Sequence, residues 1–423
     1  MSKRQRLTKE ERSWILYDAG NSAFVLVMVT AIMPLFYKEV AAAHLPAAVS
    51  TAHWGYANSA SSLVLALLAP FLGAMADYRQ RKKLFFLIFL GVGLSFNLAL
   101  GFIEQGQWLF CLLFFVIAKV GWAGANIFYD AFLVDVTTKE RMDTISTRGY
   151  GFGYIGSVIP FVIVIALIMS EGLAGGLPLG KTRLGFFVVA LWWLLLSLPA
   201  IKNVKQRHFI TSEQPAGIPV SPGFRRLWQT LQEIRQHKQA FVFLLAYFFY
   251  IDGVGTIISM ATAYGRDLGF GVTMLIVVLL FIQIVAFPCA LLFGRLATIF
   301  TAKKMLLAGI CIYGVVTFIA AMLPSITDPA IKTGIFWGIA FLVASAMGGI
   351  QALSRSYFSK LIPPERSGEF FGFYNVFGKF AAITGPFLMG IVGQLTGETR
   401  WGVLSIGVLF VIGAILLIRV EEK

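Results

Sequence analysis

Five charged residues stand inside stretches that are otherwise apolar: Asp18, Lys119, Asp130, Asp252 and Lys379. The chain has 423 residues, of which 58% are hydrophobic and 13% charged, and its mean hydropathy is +0.78. A charge at the centre of a bilayer costs at least ~2.5 kcal/mol, so each of the five requires a water-lined cavity or a partner. Lys119, Asn126 and Asp130 are spaced by seven and four, which places them along one face of a helix. Asp252 stands beside Tyr247, Tyr250 and Gly253; Asp18 lies about one turn into its run, with Asn21 three residues on; Lys379 follows Asn375 by one turn. Two chemistries are open. In one, Asp252 and Lys119 face a solute path and offer an anion and a cation to a zwitterion, and protonation of a desolvated carboxylate couples transport to a proton gradient. In the other, Asp and Lys pair to lock helix packing. Asp18 and Asp130, nearer the edge, either reach water or act as gates. The amides of Asn21, Asn58, Gln283 and Gln351 either donate to a solute or bond between helices.

The elements that must position these residues are membrane helices. Runs of about 20 apolar residues match a hydrocarbon core ~30 Å thick, and they recur near 15–37, 54–76, 84–103, 108–134, 149–170, 183–201, 240–263, 272–294, 305–323, 334–354, 368–394 and 401–419. The net charge of +14 does not indicate nucleic acid, because the basic residues alternate between loops instead of clustering on one soluble domain. With the N-terminus in the cytoplasm, 27 Lys and Arg fall on the cytoplasmic side and 6 on the other, which predicts cytoplasmic termini at both ends. Cys111, Cys289 and Cys311 sit inside apolar runs and predict no disulfide framework. The first apolar run is too long for a signal peptide and lacks a cleavage site.

The longest polar stretch, Lys202–Gln239, predicts three regions: a six-helix bundle over 1–201, a linker over 202–239 and a second six-helix bundle over 240–423. Within the linker, Phe224, Leu227, Trp228, Leu231 and Ile234 fall at helical spacing among Arg225, Arg226, Arg235 and Lys238. This pattern predicts an amphipathic helix on the anionic leaflet, or a surface for a partner. The halves carry a faint repeat. Gly73, Lys82 and Lys83 recur 221 residues on as Gly294, Lys303 and Lys304, and Glu140-Arg141 recurs as Glu365-Arg366. Internal symmetry of this kind builds many secondary transporters.

The stretch from Gly73 through Asp77 to Arg81 and Lys82 resembles the signature between the second and third helices of the major facilitator superfamily, departing at Gln80 where that family usually has Gly. The segments Trp14–Phe24, Tyr250–Thr256 and Pro364–Phe380 resemble the branch of autophagy-related vacuolar amino-acid effluxers and their bacterial relatives, with Ala19-Gly20 standing where Trp-Ala is expected. The resemblance implies an all-α membrane fold of twelve helices in two pseudo-symmetric bundles, with helices one, four, seven and ten lining a central cavity. It further implies that Gly73, Asp77, Arg81 and Lys82 form a conformational latch, Asp77 capping the eleventh helix, and that Asn375 and Lys379 have structural or gating roles. Asp18, Asn21, Lys119, Asn126, Asp130, Tyr250, Asp252 and Gln351 are then the candidates for a substrate or proton pathway.

Other signals are discounted. Gly151, Gly153 and Gly156 spell a dinucleotide fingerprint, but no strand precedes them and no acid follows at the proper distance. Close helix approach explains them better. The four histidines show no metal-ligand spacing, no phosphate-binding loop is present, and no nucleophile and base combine, so neither cofactor nor enzyme activity is expected. The expectation is a monomeric secondary transporter of the bacterial cytoplasmic membrane, moving an amino acid or related metabolite by alternating access with protons as a candidate coupling ion. The competing readings are a drug or siderophore exporter and a non-transporting membrane scaffold.

Overall fold

The computed structural model of the protein describes residues 6–172, 177–211, 232 and 235–421. The apolar positions of the amphipathic helix expected within the linker, Phe224 to Ile234, lie outside them. Among the described residues twelve helices are long and apolar enough to cross a membrane. They are α1 (Lys9–Ala41), α2 (Ala52–Ala76), α3 (Arg81–Leu100), α4 (Trp108–Ala131), α5 (Met142–Met169), α6 (Leu179–Asn203), α7 (Lys238–Ala261), α8 (Thr273–Phe300), α9 (Ala302–Ser325), α10 (Pro329–Leu361), α11 (Pro364–Thr396) and α12 (Arg400–Ile418). Leu84 and Ile88 on α3, Leu191 and Leu195 on α6, and Val408, Val411 and Ile415 on α12 are exposed at helical spacing. These apolar stripes face outward, as lipid requires.

The chain divides into two compact units. One comprises Met1–Thr138, Phe152–Thr211 and Pro364–Gly372; the other comprises Lys139–Gly151, Ser212–Pro363 and Phe373–Lys423. Within the first unit α3 packs on α4, α1 on α6, α2 on α4 and α3 on α6. Within the second, α9 packs on α10, α7 on α12, α8 on α10 and α9 on α12. Adding six to each number of the first set gives the second. Two helices break the sequence order: α5 contributes its first turns to the second unit, and α11 contributes its first turns to the first.

Several helices outrun their apolar cores. α1 starts at Lys9, six residues before the hydropathy rise, because Thr8 and Glu11 form a capping box. The Thr8 hydroxyl accepts from the Glu11 amide at 3.1 Å, and the Glu11 carboxylate accepts from the Thr8 amide at 2.8 Å. Farther along, α1 widens into π-helical turns at Phe24–Ala31 and Tyr37–Ala41, on either side of Pro34. α10 runs to Leu361, where Arg355, Ser356 and Ser359 are buried by protein instead of lipid, so hydropathy ends the helix too early.

Gln80, which caps the start of α3, has φ 64° and ψ −7°. A side chain in this left-handed region costs ~1–2 kcal/mol, whereas glycine adopts it freely at the expense of ~0.5–1 kcal/mol of unfolded-state entropy. Gln80→Gly is therefore expected to leave the protein equally stable or to stabilise it by about 1 kcal/mol, and Gln80→Val to destabilise it. Thermal unfolding of the three proteins in the same detergent measures both; a clear loss in the glycine variant would contradict the strain.

Candidate functional site

In the first unit α4 presents a polar ladder along one face, formed by Lys119, Trp122, Asn126 and Tyr129. Residues three and four apart share a helix face, so the rungs line up. Each rung meets α1 or α2. Lys119 Nζ donates to Asn58 Oδ1 at 2.5 Å, and the Asn58 amide is oriented by its own bond to the Trp54 carbonyl at 2.9 Å. Trp122 Nε1 and Asn126 Nδ2 both donate to Asn21 Oδ1, at 3.0 and 3.2 Å. The Tyr129 hydroxyl donates to Asp18 Oδ2 at 3.0 Å, and the Tyr129 carbonyl accepts from Trp14 Nε1 at 2.9 Å beneath stacked rings. Asn21 also donates to the Tyr17 carbonyl at 3.0 Å, which ties the ladder back to α1. Asp18 and Asn21 are buried, whereas Lys119, Asn126 and Asp130 are half-buried.

At one end of the same unit lies a second polar cluster. Asp77 accepts from the amides of Gly368 and Glu369, at 2.7 and 2.9 Å, at the first turn of α11. A carboxylate is favourable at a helix N-terminus. Burial pushes the Asp77 carboxyl up to about 7, against the pull of Lys82 and the two amides. Gly73 lets the backbones meet, since a methyl group there would overlap the Gly368 carbonyl. Lys82 is fully buried and donates to Asp135 and to Ser367, each at 2.8 Å. Arg81 lies over the Tyr78 ring.

Asp135 gathers the chain beyond α6. Its Oδ1 accepts from the amides of Arg207 and His208, both at 2.8 Å, with His208 Nδ1 at 3.2 Å. Burial pushes the Asp135 carboxyl up, but Lys82 and the His208 contacts outweigh it and hold the group below the usual carboxylate range. The Ile210 amide donates to the Asp77 carbonyl at 2.9 Å, and Gln206 bridges the Ala76 carbonyl and the Lys82 amide. The start of the linker is therefore pinned to the α2–α3 turn.

The second unit repeats the theme with other residues. A methyl at Gly294 would collide with Thr147 on α5, so the repeated glycine again admits a helix from the other half of the sequence. Asp143 accepts from Ser356 at 2.7 Å and from Lys360 at 2.5 Å. Arg355 is 2% exposed, donates to the Ser146 hydroxyl at 2.9 Å and its carbonyl at 3.1 Å, and lies over the Tyr150 ring. Nearby a cavity of about 710 Å³ opens among Asp143, Lys238, Tyr357 and Lys360, and it touches no rung of the ladder.

Deeper in this unit, Asp252 on α7 is fully buried and accepts from the Gly385 amide of α11 at 2.9 Å. Tyr250 shares a 2.6 Å hydrogen bond with Ser354. Tyr247 stacks on Tyr374 with ring centroids 4.2 Å apart, beside Phe243, Tyr357 and Phe358. Gln351, Asn375 and Lys379 are half-buried on α10 and α11. Asp252 and Lys119 belong to different units, and each has the neighbours described above.

Hydropathy passed over Trp122 and Tyr129, although both share the α4 face of Lys119 and Asn126. It also passed over Asp135, Asp143, Ser146 and Arg355, which lie at helix ends where charge is ordinary. The glycines at 151, 153 and 156 lie within α5, where a methyl at Gly156 would collide with Ala19 of α1.

A family model described as "Vacuole effluxer Atg22 like" matches residues 45–140 and 134–423. An uncharacterized MFS-type transporter, YxiO of Bacillus subtilis (strain 168), is 49% identical over 423 residues, covering 99% of this chain and 96% of that protein. Autophagy-related protein 22-1 of Neosartorya fischeri is 25% identical over 320 residues, and the match takes in 69% of this chain and 50% of the fungal protein, about half of its length. Among solved structures, FucP, a major facilitator superfamily transporter in the outward conformation, superposes with a TM-score of 0.70 at 15% identity, covering 98% of each chain. The twelve-helix fold, the paired six-helix pattern and these matches agree. The chain belongs to the Atg22-like family of the major facilitator superfamily, a family of multi-pass membrane transporters and not of enzymes.

Proposed function

We propose that this protein is a secondary active transporter that moves a small zwitterionic solute, an amino acid or related metabolite, by alternating access and driven by protons. The observation that carries this reading is the ladder on α4. Lys119 and Asn126 on α4, with Asn21 and Asp18 of α1 bonded to that face, set a cation, amides and a carboxylate side by side. A solute carboxylate requires the cation and a solute ammonium the acid. The family's description as vacuole effluxers supports outward movement. The likeness to a Bacillus subtilis protein supports a bacterial cytoplasmic membrane, the distribution of basic residues supports both termini inside it, and single-cysteine labelling at residues 2 and 421 from either side tests that orientation. The protein acts as a monomer, as in its superfamily.

Flux into proteoliposomes under imposed pH gradients tests the carrier reading. Lys119→Gln should lower transport of the responding amino acid about 10- to 100-fold, the loss of one charge-assisted hydrogen bond worth ~1.5–3 kcal/mol. Full transport by this variant would remove the ladder from the mechanism. Flux of siderophores or lipophilic drugs alone would point to the exporter, and no flux under any gradient would point to a scaffold.

The Asp77 contact with α11 serves in this reading as a latch that alternating access must break. Its carboxyl is raised from an ordinary value near 4 to about 7, so the buried, protonated form favours the latched state. The stabilisation is complete below the ordinary value and is lost as pH rises through about 7. Hydrogen exchange at the Gly368 and Glu369 amides should therefore accelerate between pH 6 and 8 beyond the intrinsic chemical rate in the wild type. In Asp77→Asn that excess should vanish; an equal excess in both proteins would contradict the latch.

A further inference from the structure

The surroundings of Asp252 are incomplete in a specific way. One carboxyl oxygen accepts from the Gly385 amide at 2.9 Å, while Oδ2 is buried with no hydrogen-bond partner. One helical turn farther along α7, on the same face, the fully buried Thr256 hydroxyl stands beside the Asp252 carboxyl. Opposite them, the residue after Gly385 is Pro386. It has no amide hydrogen and cannot satisfy the Ala382 carbonyl four residues earlier. The Thr256 and Thr384 hydroxyls both stand beside the carboxyl, so the group holds two hydroxyls and one amide but no positive charge.

Among the described residues no basic side chain pairs with Asp252. On the helices packed against α7, Arg355 is held by Ser146, Lys360 by Asp143, and Lys303 by the carbonyls of Ile418 and Val420. Lys379 stands six residues before Gly385 on α11, and Tyr247 and Tyr250 share α7 with Asp252. A lone carboxylate sealed from water and lacking a counter-charge is far costlier than a neutral acid. Packing selects which cation could remove the charge. A methyl group at Gly385 would collide with the Thr256 hydroxyl and crowd the Asp252 carboxyl, so the contact has no room for a metal ion with its shell of oxygens. A proton requires none.

We propose that Asp252, Thr256 and the α11 backbone around Gly385 form the proton-binding site of this transporter, occupied in the conformation seen here. The neutral acid joins α7 to α11: one oxygen accepts from Gly385, and the other, carrying the proton, has the Thr256 and Thr384 hydroxyls beside it to donate to. When the proton passes to water, the remaining charge must be hydrated, and the seam between the two helices opens to admit that water. The proposal rests on the proton-driven reading above, but its main test does not depend on any solute being moved.

Infrared difference spectra of the full chain in nanodiscs, stepped from acid to alkaline buffer, report protonated carboxyls through their C=O stretch. One such band should be lost in Asp252→Asn and shifted in Thr256→Val, which keeps the acid and removes one of its two neighbouring hydroxyls. Identical spectra from wild type and Asp252→Asn would overturn the proposal, and so would displacement of the band by sodium in place of alkali. If the asparagine variant does not fold, aspartate labelled at the carboxyl carbon together with Thr256→Val decides the same point. In proteoliposomes Asp252→Asn should lose solute-coupled proton movement at least tenfold; wild-type coupling in that variant would also overturn the assignment. If no solute is transported at all, the carrier reading fails and the infrared result still stands or falls by itself.

Discussion

Hydrocarbon offers no hydrogen-bond partner, so every polar atom carried into it must be answered by the protein. That constraint explains why the ladder on α4 is continuous. The Lys119 cation is met by an amide whose own donor is fixed on Trp54, and Asn21 takes two donors while giving its own hydrogens to α1. Where the rule is broken, as at the second oxygen of Asp252, the gap carries chemical information. A fully buried charge pair obeys the rule at a high desolvation cost, and Lys82 with Asp135 does so only because Ser367 and the amides of Arg207 and His208 satisfy the remaining valences.

The same constraint favours symmetry of task over symmetry of residue. Gly73 and Gly294 each let a helix from the other half of the sequence come close, α11 in one unit and α5 in the other. The charged groups that secure the two contacts differ. In the first unit Asp77 binds backbone amides; in the second, Asp143 binds the side chains of Ser356 and Lys360, with Arg355 clasping Ser146. Close backbone approach demands glycine at both places, whereas the electrostatic fastening can be met by any complementary set. This is why the repeat in the sequence retained the glycine and the lysine pair but not the acid.

Much of this was legible beforehand, and the rest was hidden for physical reasons. The number of helices, the pairing of halves and the residues Lys119, Asn126 and Asp252 were visible because a polar side chain against an apolar background is an energetic anomaly. Trp122 and Tyr129 were not, since hydropathy counts an indole or a phenol as apolar although each carries a donor. Asp135, Asp143 and Arg355 lie where helices emerge, so their charge looked ordinary. The attachment of residues 206–210 could not be read from side chains, because it is made largely by backbone amides. The early start of α1 was written in Thr8 and Glu11, a local motif that a hydropathy window averages away.

The exchange of first turns between the units also governs the order of biosynthesis. The surface around Gly73 and Asp77 is complete only when Gly368 and Glu369 reach it, almost three hundred residues later in translation. Until then Asp77, on the turn between α2 and α3, waits without the two amides that it binds in the folded chain. The amino-terminal bundle therefore leaves the insertion machinery unfinished, and it matures only after the ribosome has delivered nearly the whole polypeptide.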